Sequence, residues 1–134
     1  MATEILINDG GAPARILPFT AGSSISAGDF CEMASDGEVD TVAATHSHGV
    51  GVALTAQTSG NIVSIISGKG VILRTLVSGT AGDFAGAVAA GDALCTSVNG
   101  YLLKGHTTFA SGTTIAVALE AQTAGSGLKK VLMF

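Results

Sequence analysis

The stretch AGDFCEM at residues 27–33 decides the fold, because its pattern recurs 63 residues later as AGDALCT at residues 90–96. Each copy is followed at the same distance by a turn dipeptide, Asp36-Gly37 in the first copy and Asn99-Gly100 in the second. Asp-Gly and Asn-Gly are the strongest short hairpin signals, since a type I′ turn needs positive φ at both central residues. The repeated stretch therefore predicts a repeated β-hairpin.

A second pair of stretches extends this repeat towards the C-terminus. VGVALTAQTSG at residues 50–60 is echoed by IAVALEAQTAG at residues 115–125, at an offset of 65. Chance matching of Ala/Gly/Thr-rich sequence is the alternative, but it does not explain why two blocks recur in the same order. We interpret the pattern as an internal duplication with two extra loop residues, and we place the halves at about 25–78 and 88–134.

Gly-rich turns divide the rest of the chain into short apolar runs. They follow residues 5–7, separate residues 61–67 from 71–77, and precede residues 128–134. No long apolar stripe with helical spacing occurs, and residues 81–90 contain too many glycines to hold a helix well. Many short strands predict an all-β fold, and the duplication favours a small β-barrel with pseudo-twofold symmetry.

Residues 1–24 have no counterpart in the second half and contain Pro13 and Pro18, which limit regular strand pairing. We therefore expect an extended N-terminal arm at residues 1–24 and a single β domain at residues 25–134.

The composition indicates a protein that is packed against partners. Charged residues make up 12% of the chain, against roughly 25% in an average globular protein. Hydrophobic residues make up 47%, and a surface with so little charge is expected to be partly buried in a homo-oligomer or another partner.

Several other classes of function are disfavoured by the charge and hydropathy patterns. The net charge is −4 and the six basic residues are scattered, so nucleic-acid binding is not expected. The chain has neither an apolar run of about 18 residues nor a signal-peptide pattern, so we expect no membrane insertion and no secretion.

Candidate chemical groups are few. His46 and His48 would lie on one face of a strand and could bind zinc, but His106 is the only other histidine and a third ligand is hard to find. The repeat alignment places Cys31 and Cys95 on opposite faces of equivalent strands, so we expect two free thiols, with Cys31 in the core and Cys95 partly exposed. We predict no catalytic residue, no cofactor and no metal site, and hence no enzyme.

The Ala-Gly-Asp stretches have an ordinary structural explanation. Asp29, Asp83 and Asp92 each follow Ala-Gly, and a Gly-Asp pair just before a strand is typical of a turn. We expect turns there instead of a shared carboxylate site.

The order of the motifs resembles that of the tailed-phage capsid decoration proteins, also called cement or head-stabilising proteins. The resemblance is carried by ILPFTAGSSISAGDF, SHGVGVALTAQTSGNIVSIISGKGV, AAGDALCTSVNGYL and TTIAVALEAQTAGSGLKKVLMF, which together cover nearly the whole chain. It implies a β-barrel or β-tulip-like domain, made in the host cytoplasm, that binds the outer surface of an assembled phage capsid and stabilises it. The major capsid protein would be its partner, a homotrimer its form, and no catalytic residues carry over.

If that resemblance holds, the N-terminal arm would lie along the capsid or a neighbouring subunit. Its candidate contact residues are Ile5, Leu6, Ile7, Ile16, Leu17 and Phe19. Three alternatives stay open: another virion surface module, such as a head fibre base or a host-adhesion domain; a small metal-binding β-barrel; and an oligomer unconnected with a virus.

Overall fold

The computed structural model describes residues 4–8, 15–43, 49–80, 86–97, 99–104 and 115–133, and their regular structure is entirely β. The strands are β1 (Leu6–Asn8), β2 (Arg15–Ala21), β3 (Phe30–Ser35), β4 (Glu38–Thr41), β5 (Gly49–Ala53), β6 (Ile62–Ser67), β7 (Ile72–Ser78), β8 (Ala93–Thr96), β9 (Leu102–Lys104), β10 (Ala116–Ala118) and β11 (Ser126–Met133). The all-β prediction is confirmed.

The first five strands after β1 close into a barrel in the order β2-β4-β3-β5-β6. β2 runs antiparallel to β6 and pairs with it from Arg15 to Thr20, whereas its parallel pairing with β4 covers Thr20 and Ala21. Alternate residues of each strand point inwards, as the strand period requires. The interior is filled by a cluster of small and branched side chains: Ala21, Ile25, Cys31, Val39, Ala53, Val63 and Ile65.

The last five strands form a second barrel with the same strand order, β7-β9-β8-β10-β11, which a parallel β7–β9 pairing closes. Every pairing has the same direction as its counterpart in the first barrel. β1 lies outside this barrel and pairs with the edge of β7. The duplication thus produces two barrels, where the sequence predicted a single barrel with pseudo-twofold symmetry.

The strand registers follow the sequence repeat residue by residue. Phe30 pairs with Val52 in the first barrel, and Ala93 pairs with Val117 in the second, at the offsets of 63 and 65 read from the sequence. Since the offset is still 63 where β8 pairs with β9, the two extra residues fall in the connection from β9 to β10.

The repeat begins earlier in the structure than in the sequence interpretation. Ala21 of β2 pairs in parallel with Val39, as Val77 of β7 pairs with Leu102, so β2 and β7 are equivalent at an offset of 56. The second repeat has seven more residues between this strand and the next equivalent bridge, which hides the match from a comparison at one offset. The repeats therefore run over about 15–67 and 72–133, and residues 15–21 of the expected arm are a barrel strand.

The two barrels are joined by apolar packing and by hydrogen bonds. The main core cluster fills the second barrel and continues to Phe30, Val52 and Ile66 of the first barrel. The backbone N–H of Phe30 donates to the carbonyl oxygen of Gly100 at 3.0 Å, and the N–H of Leu76 donates to that of Gly28 at 3.0 Å. These bonds cross between the repeats, so the contact has a defined geometry.

Candidate interaction surface

Exposed apolar side chains concentrate on two neighbouring strands of the first barrel. Ile16 and Leu17 of β2 are 51% and 40% exposed, and Ile62 at the start of β6 is 60% exposed. Ile62 pairs directly with Thr20, and Ile16 pairs with Ile66, which places these residues on adjacent strands. We call Ile16, Leu17 and Ile62 the β2/β6 patch. Several large exposed apolar residues on one strand pair are typical of an interaction site.

The edge of β2 beside this patch is open along the part of the chain that the structure describes. β4 reaches only Thr20 and Ala21, so the half of β2 before Thr20 pairs on one side, with β6. Pro18 lies in that half, where a missing N–H is tolerated because a strand edge needs no second set of ladder bonds.

The β1 members of the predicted contact set serve this chain's own core. Ile5 is 1% exposed, and its carbonyl oxygen accepts a hydrogen bond from the N–H of Arg74 at 2.7 Å. Leu6 packs against the same core cluster, and Ile7 is half-buried. Ile5 is therefore not available to a partner, because the edge of β7 holds β1 against the second barrel.

The β2 members of that set lie differently. Ile16 and Leu17 are exposed, whereas Phe19 is partly buried and packs against the core of the first barrel. Ile62 was not among the predicted contacts, although strand alternation could have indicated it. Since Val63 and Ile65 point into the barrel, Ile62 must point out.

Both cysteines are free and fully buried. Burial raises the pKa of the Cys31 thiol to about 12, and the negative charges of Asp29 and Asp40 raise it further. Burial likewise raises the pKa of Cys95 to about 11. The predicted free thiols are present, but Cys95 is a core residue and not partly exposed, because both faces of β8 are covered after Ala93. A thiol that stays protonated at neutral pH is a poor nucleophile.

The two Ala-Gly-Asp stretches within the described residues form turns, as predicted. The carboxylate of Asp29 accepts a hydrogen bond from the N–H of Ser26 at 2.8 Å, and the carboxylate of Asp92 accepts one from Ala89 at 2.8 Å. Desolvation raises the pKa of Asp29, an effect that the Ser26 hydrogen bond opposes. Asp92 also lies 3.4 Å from the Nζ of Lys104. Asp83 lies outside the described residues.

No grouping of catalytic or metal-binding side chains was found in the described ranges. Three or more His, Cys, Asp or Glu residues do not come together there in a way that could hold a metal ion. His46, His48 and His106 lie outside those ranges. The cleft between the barrels, of about 240 Å³, is lined by Phe30, Gly51, Ile115 and Met133, with Lys69 as its one charged lining residue.

Comparison with known proteins finds a likeness in structure. No protein-family model and no curated protein sequence matches this chain. Among the solved structures that match is the N base of head fiber gp8.5 in bacteriophage phi29, with a TM-score of 0.67 and 17% sequence identity. The match covers 91% of this chain and 95% of that one, so the likeness extends over the whole fold. No helix in the described part is long and apolar enough to cross a membrane.

Proposed function

We propose that this chain is a non-enzymatic structural protein of a tailed-phage virion, which binds the outer surface of the assembled head and stabilises it. The observation that carries the proposal is the fold likeness to a phage head fibre base along 91% of this chain. The motif order resembles phage decoration proteins, which is a separate argument from sequence. Both lines of support lead to the outside of a phage head.

The surface of the first barrel supplies a physical basis for such binding. Ile16 and Leu17 lie on an open strand edge, where a partner can add main-chain hydrogen bonds and cover apolar side chains together. In this proposal the partner is the major capsid protein. A protein that binds only the assembled shell stabilises that shell by linkage, since disassembly must first release it.

The base of a head fibre is a second candidate function, and the structural neighbour favours it specifically. A fibre base would occupy the same surface of the head but would serve to attach a further structure. The two functions differ in one measurable respect: a cement protein raises the resistance of the head to heat, whereas a fibre base need only remain attached.

The test uses phage heads that lack this protein and adds purified chain back to them. We expect the wild-type chain to bind and to raise the temperature at which the heads release their DNA. Leu17→Glu should lower the occupancy several-fold, whereas Ala124→Glu, at an exposed residue far from the β2/β6 patch in the fold, should not. Binding without a thermal shift would favour the fibre base, and no binding would contradict both functions.

We also propose that the chain acts as a homotrimer. Light scattering on the purified protein should then give three times the chain mass of 13.1 kDa. A mass of one chain at all concentrations would contradict this part of the proposal.

A further inference from the structure

The two barrels have the same strand order, but each uses a different surface in their mutual contact. The first barrel contributes the turn at residues 27–30, which we call the bound corner. The second barrel receives it between β7 and the hairpin at Gly100, which we call the bound face. Gly28 accepts the N–H of Leu76, and Phe30 donates its N–H to Gly100, so the corner separates β7 from the hairpin. The side chain of Leu128 closes over Gly28.

The equivalent face of the first barrel has no corner in it. Thr20 occupies the position of Leu76, and its N–H donates directly to the carbonyl oxygen of Gly37, the equivalent of Gly100, at 2.9 Å. Gly37 is exposed and has no atom within 4 Å of a methyl group added there, whereas such a group at Gly100 would lie 3.3 Å from Asp29. We call Thr20, Gly37 and Ile62 the free face.

Ile62 shows the same difference in burial. It pairs with Thr20 as Leu128 pairs with Leu76, so Ile62 and Leu128 are equivalent. Leu128 packs against the main core cluster and the bound corner, whereas Ile62 is 60% exposed. An apolar side chain at this position is thus covered wherever a corner is docked.

The second barrel carries an equivalent corner at residues 90–93, which we call the free corner. Gly91 has a φ of 94°, against 93° for Gly28, and Asp92 accepts the N–H of Ala89 as Asp29 accepts that of Ser26. The free corner therefore already has the conformation of the bound one. Gly91 is exposed with nothing within 4 Å of an added methyl group, whereas Gly28 is buried.

Leu119 extends the free corner. Its N–H donates to Lys130 across the β10–β11 pair, as the N–H of Leu54 donates to Ser64 across β5 and β6, so these leucines are equivalent. Leu54 packs against the core cluster that joins the barrels, whereas Leu119 is 40% exposed. Of the five large hydrophobic side chains exposed in the described ranges, Ile62 and Leu119 thus occupy positions that the inter-barrel contact covers in the other repeat.

We propose that the free corner of one chain docks on the free face of a second copy of the same chain, repeating between chains the contact that joins the two barrels within each. The bond from Thr20 to Gly37 would open. In its place Gly91 would accept the N–H of Thr20, and Ala93 would donate its N–H to Gly37. Ile62 would close over Gly91 as Leu128 closes over Gly28.

The charges on the two surfaces suit this docking. Lys104 lies beside the free corner, 3.4 Å from Asp92, and occupies the position of Thr41 in the repeat. Thr41 precedes Val42, whose carbonyl oxygen accepts the N–H of Gly100 in the bound contact. Lys104 would therefore lie beside the hairpin of the free face, which carries Asp36 and Glu38. Opposite charges there favour the encounter of two copies.

Two substitutions make the contact between chains weaker than the contact within one chain. Ala93 stands where Phe30 fills the bound contact, and Phe19 stands at the position of Thr75, whose hydroxyl donates to Gly28 at 2.8 Å. The association is therefore reversible. Because it joins two different surfaces, each chain keeps one corner and one face for further neighbours, and the contact generates a ring or an open chain of copies.

The test is made on purified full-length protein by light scattering and does not involve phage heads, so it can fail independently of the proposed function. We expect the wild-type chain to associate reversibly. Ile62→Glu on the face and Ala93→Glu on the corner should each reduce it to monomers, with unchanged circular dichroism. Ala124→Glu, an exposed alanine outside both surfaces, should associate like the wild type.

Mixing the two monomeric variants gives the sharper result. The Ile62→Glu chain keeps an intact corner and the Ala93→Glu chain keeps an intact face, so an equimolar mixture should form a complex of one chain of each and nothing larger. A monomeric wild type, full association of either variant alone, or a mixture that stays monomeric would each overturn the proposal.

Discussion

Gly28 and Gly91 offer a matched pair of substitutions that measures how tightly the two barrels pack. Their φ angles are 93° and 94°, so an alanine at either position has the same backbone strain. Their surroundings differ: a methyl group at Gly28 would overlap the Cδ2 atom of Leu128, whereas one at Gly91 would have nothing within 4 Å. The difference between the two variants isolates the inter-barrel contact.

The expected costs follow from these two terms. An L-residue in the left-handed region costs roughly 1–2 kcal/mol, which is the full cost expected for Gly91→Ala in the single chain. Overpacking adds roughly 1–3 kcal/mol, so Gly28→Ala should lower the free energy of unfolding by about 2–5 kcal/mol. Leu128 can relieve part of the overlap by moving its side chain, and this sets where in that range the value falls.

Urea unfolding followed by circular dichroism, at a concentration where the chain is monomeric, measures both values. In a Leu128→Ala background the overlap is absent, so the additional cost of Gly28→Ala should fall to about that of Gly91→Ala, a coupling within the 0.5–3 kcal/mol range seen for contacting residues. Equal costs for the two glycines in the wild-type background would refute the close contact between Gly28 and Leu128.

Three further results are expected. Ile5→Ala should lower the free energy of unfolding by about 2–5 kcal/mol, as for other fully buried large-to-small changes, and a cost near zero would show that β1 does not stabilise the fold. Because the raised pKa of Asp29 makes the folded state bind a proton more readily, stability should fall as pH rises from about 3.8 through that pKa, and Asp29→Asn should remove this fall while Asp92→Asn does not; unfolding in urea at a series of pH values tests it. Cys31 and Cys95 should resist a thiol reagent at pH 8 in the native protein and both react after unfolding, and rapid reaction in the native state would contradict their burial.

The hairpins and the repeat were predictable because local chemistry specifies them. Asn99 and Gly100 both have positive φ, as the turn requires, and the Ala-Gly-Asp turns share one geometry in both copies. β2 was not recognised as part of the repeat because seven additional residues change its offset, and because Phe19 and Thr75 share no pattern. That equivalence is visible only in strand pairing, which is a property of the closed barrel.

The interaction surface was only partly predictable, for a different reason. Ile5 and Ile16 are both isoleucines in short N-terminal strands, and nothing in their local sequence distinguishes them. One is 1% exposed and the other 51% exposed, because β1 lies against the edge of β7 whereas no described strand covers the equivalent edge of β2. Burial of this kind depends on tertiary packing, and local sequence does not contain it.

The low charge of the chain has two sources, and the duplication separates them. Part of the uncharged surface is covered within one chain, where the first barrel buries Gly28 and Phe30 against the second. The equivalent positions that have no such cover, among them Ile62 and Gly91, carry no charge either. A surface that served only as solvent-facing outer wall would be expected to carry Lys, Glu or Asp at these positions. The uncharged residues on both free surfaces are therefore better explained by contact with other protein, and a neighbouring copy of the chain has the shape to supply it.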